Sequence, residues 1–109
     1  MLKLVQKSLD DDKAEEIVAI DLEGKASFAD YMVVASGRSQ RHVNAVAEHL
    51  VENLEKAGHA TPRVAGQKTG DWVLVDAGDV VVHLFRPEVR THYNLEKMWS
   101  VTMPPERGD

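Results

Sequence analysis

The stretch from Trp72 to Phe85 constrains this chain more than any other part of it. Two alternating runs, Trp72 to Asp76 and Asp79 to Phe85, flank Ala77-Gly78, which reads as the two-residue turn of a β-hairpin. That turn sets Asp76 opposite Asp79, Leu74 opposite Val81 and Trp72 opposite His83. Successive side chains of a strand point to opposite faces. One face therefore takes Val73, Val75, Val80, Val82 and Leu84, and the other takes Trp72, Leu74, Asp76, Asp79, Val81, His83 and Phe85. The first is purely aliphatic and must be covered by a core. The second is mixed. A solvated face has no need of Trp72, Leu74 and Phe85, and a core face does not accept two aspartates without partners. Aromatic anchors beside an acidic rim suit a protein-docking surface.

The rest of the chain supplies the cover. Val43, Val46, Ala47, Leu50, Leu54 and Ala57 recur at three- and four-residue steps, which predicts a long amphipathic helix. Ser39 is placed to cap its start and Gly58 to end it in the left-handed conformation. Residues 2 to about 13 predict a shorter helix with Leu2, Val5 and Leu9 on one side. Asp10-Asp11-Asp12 oppose the dipole at its C-terminus, which argues for a helix that stops before them and leaves them as solvated surface. Ile17 to Leu22, closed by a turn at Glu23-Gly24-Lys25, and Tyr31 to Ala35 are nearly continuous apolar runs. They read as central strands covered on both faces. Thr61 to Val64 reads as a short edge strand, Pro87 as the start of a helical segment, and Asn94 as the cap of a last helix carrying Leu95, Met98 and Trp99. The expectation is a single α/β domain over residues 1–101, a mixed sheet of about five strands flanked by helices. Residues 102–109, with Pro104-Pro105 and Gly108, are expected to form a flexible tail.

The chain of 109 residues carries a net charge of −5, and its 13 Lys and Arg are scattered with no cluster longer than a pair. Little direct RNA contact is expected, because a phosphate-gripping surface gathers cations. A basic protein is the better partner. The absence of cysteine excludes disulfides, thiolate zinc sites and a cysteine nucleophile. No apolar run is long enough to span a membrane, and the N-terminus lacks the pattern of a signal or transit peptide, so a cytoplasmic location is expected.

Chemistry finds little support. His42 and His49 are seven residues apart, wider than a helical zinc pair, and His59, His83 and His92 have no ligand partners at recognisable spacing, so no metal site is expected. Ser36-Gly37-Arg38-Ser39 lies at a strand-to-helix junction that can hold an anion, and it reads more simply as a turn plus a helix cap. A metal-dependent nucleotidyltransferase is the principal enzymatic alternative. Such enzymes need a Gly-Ser pair at this junction and two carboxylates alternating on a neighbouring strand. Here Arg38 splits the Gly-Ser pair, and Asp76 and Asp79 flank a turn. An unrelated dimeric adaptor is the other alternative.

Four stretches together resemble the ribosomal silencing factor family, also called Iojap-related proteins. They are Lys13-Ala14-Glu15 with Ile17 to Leu22; Ser27 to Tyr31 with Val33 to Gly37; Trp72 to Asp76 with Gly78 to Phe85; and Tyr93 to Trp99. The resemblance implies a fold similar to nucleotidyltransferases without their catalytic site. It implies no enzymatic activity and no cofactor. It implies binding to the large ribosomal subunit through ribosomal protein L14, which blocks subunit association and represses translation. It also implies a homodimer in isolation. Carried onto this chain, it places Trp72 and Asp79 in a docking motif and adds Tyr93, Glu96 and Trp99 as contacts beside Leu74, Asp76 and His83. Ala65 and Asn94 stand where the family more often has acidic residues, and each removes one negative charge.

Overall fold

The computed structural model describes residues 1–22, 29–68 and 70–87. The chain runs α1 (Leu2–Asp11), β1 (Glu15–Asp21), β2 (Tyr31–Ser36), α2 (Gln40–Lys56), β3 (Arg63–Ala65), β4 (Trp72–Asp76) and β5 (Val80–Phe85). The five strands form one mixed sheet in the order β1-β2-β5-β4-β3. Among the described strands, only the central β2–β5 pair is parallel. The crossover between those two strands contains α2, β3 and β4. The expected α/β class with about five strands is what the chain adopts.

The two sheet faces are unlike. On one, Val73, Val75, Val80, Val82 and Leu84 join Val33 and Ala35 under α2, which contributes Val43, Val46, Ala47, Leu50 and Leu54. Val5 and Leu9 of α1 complete this core. Full burial of one Val or Leu side chain contributes roughly 2 kcal/mol, so the aliphatic face of the hairpin alone is a large stabilising term. Where the two helices meet, the Asn53 amide donates to the hydroxyl of buried Ser8 at 2.9 Å. The opposite face holds a second cluster of Ile20, Leu22, Ala29, Met32, Val34, Val81 and Phe85, with Trp72, Leu74 and Val18 packed against it.

Both helix ends follow from local chemistry. Ser39 Oγ accepts the N–H of His42 at 3.1 Å, as expected of an N-cap. At the far end Gly58 (φ +91°) donates to the Glu55 carbonyl and His59 to that of Leu54, a Schellman ending. α1 ends the same way, with Lys13 N–H on Asp10 and Ala14 N–H on Leu9, but its left-handed residue is Lys13 at φ +61°. Relief of that conformation favours glycine by about 1–2 kcal/mol, against about 0.5–1 kcal/mol for the extra freedom of an unfolded glycine. Lys13→Gly should therefore raise stability by about 0.5–1 kcal/mol, seen as a higher urea midpoint at unchanged slope.

Three expectations need correction. α1 does not stop before the aspartates: Asp10 and Asp11 lie in its last turn and Asp12 is its C-cap. Lys7 sits 3.3 Å from Asp11, and the Asp12 carboxylate takes a 2.6 Å bond from His49, so these charges are answered locally. Among the described strands β1 lies at an edge, with β2 as its neighbour in the sheet. Its charged Glu15, Glu16 and Asp21 suit an edge, and a bulge with Glu16 at φ +50° offsets its register. The short edge strand before β4 lies at Arg63–Ala65, slightly later than Thr61 to Val64. The turn at Glu23–Lys25, the helical residues expected beyond Pro87, the helix capped by Asn94 and the tail fall outside the described residues.

Candidate functional site

The mixed face forms on β4 and β5, in a register two residues away from the one the sequence favours. Trp72 pairs with Phe85, Leu74 with His83 and Asp76 with Val81. The Ala77 N–H donates to the Val80 carbonyl at 3.0 Å, so the two turn residues are Gly78-Asp79. Gly78 takes φ +89° at the first central position, as the primed hairpin turns require. A shift of two residues preserves the side-chain alternation. Trp72, Leu74, Asp76, Val81, His83 and Phe85 therefore share one face as expected. Asp79 does not: it stands exposed at the tip of the turn.

Aromatic rings organise one end of the face. Trp72 stacks on the fully buried Phe85 with centroids 5.1 Å apart at 29°. His83 lies near both rings, its centroid 6.0 Å from Phe85 at 13° and 5.9 Å from Trp72. The Trp72 indole N–H donates to His83 Nδ1 at 3.0 Å. That bond fixes the neutral tautomer, with the hydrogen on Nε2, which has no partner among the described residues. Burial pushes the His83 pKa down to about 4. The face thus presents a neutral imidazole near neutral pH, next to half-buried Trp72 and Leu74.

Carboxylates gather at the other end. Asp76 Oδ1 accepts the Gly78 N–H at 3.0 Å, which both shapes the turn and holds the carboxylate. The Asp79 carbonyl accepts the N–H groups of Asp30 (2.8 Å) and Tyr31 (3.1 Å). Exposed Asp30 is thereby brought beside the hairpin tip, and the rim comprises Asp30, Asp76 and Asp79. Sequence reasoning missed Asp30 because the β2–β5 pairing that puts it there joins segments far apart in the chain. It also missed the closure at the aromatic end. Arg86 Nε donates to Asp71 Oδ1 at 2.8 Å, and the Gln40 amide donates to the same oxygen at 3.3 Å. The Gln40 and Arg86 hydrogen bonds hold the Asp71 carboxyl below its ordinary pKa. Tyr93, Glu96 and Trp99 lie outside the described residues.

The junction that an anion would occupy is spent on the fold. Gly37 N–H donates to the Phe85 carbonyl at 2.9 Å, Arg38 N–H to His42 Nδ1 at 2.9 Å, and His42 N–H to Ser39 Oγ. His42 Nε2 in turn donates to the Asp12 carbonyl at 2.8 Å. His42 and His49, two turns apart on one face of α2, thus both hold Asp12. Among the described residues no three His, Asp or Glu side chains stand together as metal ligands. No helix among them is long and apolar enough to cross a membrane.

The profile of the family described as "Ribosomal silencing factor during starvation" matches residues 1–108. The chain belongs to the ribosomal silencing factor family. It is similar to the Ribosomal silencing factor RsfS of Zymomonas mobilis, at 57% identity over 92% of this chain and 75% of that protein. The Bacillus subtilis RsfS is 40% identical over 92% of this chain and 85% of its own length. A crystal structure of a Chromobacterium violaceum protein superposes with a TM-score of 0.88 at 38% identity, covering 99% of this chain and 89% of that one. These likenesses bear out the family resemblance read from the four motifs and the fold class read from the element pattern.

Proposed function

We propose that this silencing factor docks on the large ribosomal subunit through ribosomal protein L14 and sterically blocks association with the small subunit, so repressing translation. The observation that carries the reading is the mixed sheet face. Trp72 lies at one end of the face with Leu74 next along β4, and Asp76 lies at the other end with Asp30 and Asp79 at the neighbouring hairpin tip, on a chain of net charge −5. Such a face matches a basic protein with an apolar centre: the rings supply contact area and the carboxylates supply orientation and encounter rate. The His83 Nε2–H adds a donor within the same patch. Tyr93, Glu96 and Trp99 extend the contact by family motif. The mechanism is occlusion. It needs no catalytic residue, cofactor or metal, and little direct contact with RNA. The protein acts in the cytoplasm and forms a homodimer when free of the ribosome.

Sedimentation with separated large subunits, small subunits and joined ribosomes tests the reading. Wild type should travel with large subunits alone and prevent joining. A Trp72→Ala, Asp79→Lys double variant should bind at least about tenfold more weakly, a loss of about 1.4 kcal/mol or more. Asp79 suits the charge reversal because it is exposed and the turn is shaped by its backbone. If wild type stays at the top of the gradient, the ribosomal reading is wrong. Equal binding by the variant would move the docking site elsewhere. Asp79→Lys should leave the homodimer intact; a monomeric variant would favour self-association as the role of this face.

A further inference from the structure

The helix-covered side of the sheet ends at β3 in a groove of about 420 Å3, lined by Ala47, Glu48, Val51 and Glu52 of α2, Val64 of β3 and Gln67. Three features coincide there. Among the described residues β3 is the outermost strand, and one side of its backbone has no neighbour in the sheet. Val51 and Val64 are half-buried and form an apolar strip beside that open edge. Glu48 and Glu52 stand one helical turn apart and exposed, and neither has an ion-pair or hydrogen-bond partner among the described residues.

An open edge offers main-chain hydrogen bonds, the apolar strip offers a seat for every second side chain, and paired carboxylates answer cations. We propose that this groove takes a short extended segment of a basic protein, added as a further strand beside β3, with Lys or Arg side chains against Glu48 and Glu52. Charge complementarity selects this occupant. A second copy of the chain also carries −5, and pairing two β3 edges symmetrically would gather both copies' Glu48 and Glu52 at one seam. The same carboxylates repel nucleic acid. Val64 lies on the helix side of the sheet, while Trp72 and Leu74 lie on the other. The groove is therefore on the opposite face of the sheet from Trp72, and the proposal does not rest on the ribosomal reading.

The test is an amide chemical-shift titration of the labelled full chain with a capped Lys-Val-Lys-Val-Thr-Val-Lys peptide, beside a twin with Glu in place of Lys. Shifts should concentrate on Arg63–Ala65 and on the Ala47–Glu52 turns of α2. Affinity should fall at least about tenfold in Glu48→Lys, Glu52→Lys, fall less in Glu48→Gln, Glu52→Gln, and stay unchanged in Trp72→Ala. Both substituted positions, Glu48 and Glu52, are exposed, so helix content by circular dichroism should match wild type. No shift at saturating peptide, shifts centred on the Trp72 face, equal binding of the acidic twin, or full affinity in the charge-reversed variant would each overturn the proposal. A dimer converted to monomer by Val64→Asp in sedimentation velocity would assign the groove to a second copy and overturn it as well.

Discussion

Gly66→Ala is expected to destabilise the protein by about 4 kcal/mol or more, enough to lower the melting temperature by roughly 20 °C in a domain of this size. Two penalties add at this position. Gly66 has φ +89°, where an L side chain is strained by about 1–2 kcal/mol. Its added Cβ would also lie 2.1 Å from the Trp72 carbonyl oxygen and 3.2 Å from the carbonyl carbon. These are main-chain atoms of β4, so no rotamer change relieves the overlap, and the strand bearing Trp72 must move. Gly78 is the internal control. It has the same φ of +89°, with nothing within 4 Å of a Cβ, so Gly78→Ala should cost only the conformational part, about 1 kcal/mol. Thermal or urea melts of the two variants side by side give the steric term by difference. Equal losses would mean that the close approach of Gly66 to β4 is absent in solution.

Acid should weaken the fold through His83. Its native pKa is pushed down to about 4 by burial, while an unfolded histidine titrates near 6.5. The unfolded chain therefore takes up the proton first. The contribution of neutral His83 is complete above about pH 6.5 and is lost as pH falls from there towards about 4, a change of roughly 3 kcal/mol over the window. Protonation of Nδ1 would also break the hydrogen bond it accepts from the Trp72 indole N–H. The reference is His83→Phe, which keeps a ring over Phe85 and removes the titration. The carboxylates and the other histidines contribute alike to both proteins. Urea midpoints measured from pH 7 to pH 4 should fall more steeply for wild type than for His83→Phe. Parallel curves would show that His83 titrates normally in the native state.

How much of this was legible in the sequence depends on what each signal reports. α2 was readable because Ser39, the apolar period and Gly58 are all local signals, and each acts within one turn of the helix. The two faces of the hairpin were readable although the register was not, because a shift of two residues leaves alternation unchanged. Asp79 left the face for the same reason that the register moved: glycine takes the first central position of the turn, and Asp79 becomes the second. β1 was misplaced because hydropathy reports faces and not lateral edges. Ile17 packs into the helix-side core and Val18 and Ile20 into the other cluster, so an edge strand reads like a central one. The Asp71–Arg86 bridge, the place of Asp30 and the shared hold of His42 and His49 on Asp12 depend on pairings between distant segments, which no local pattern encodes.

The double acceptance at the Asp79 carbonyl has a consequence for recognition. One peptide group joins the tip of the hairpin to the start of β2, and the Asp76 carboxylate grips the same turn from within. The backbones that carry all three acidic side chains are thus tied to one another in the free protein. On the docking proposed above, a partner arriving at this rim would meet a backbone already held in place. The backbone there has little conformational freedom for such binding to remove, so more of each charge contact would survive as affinity.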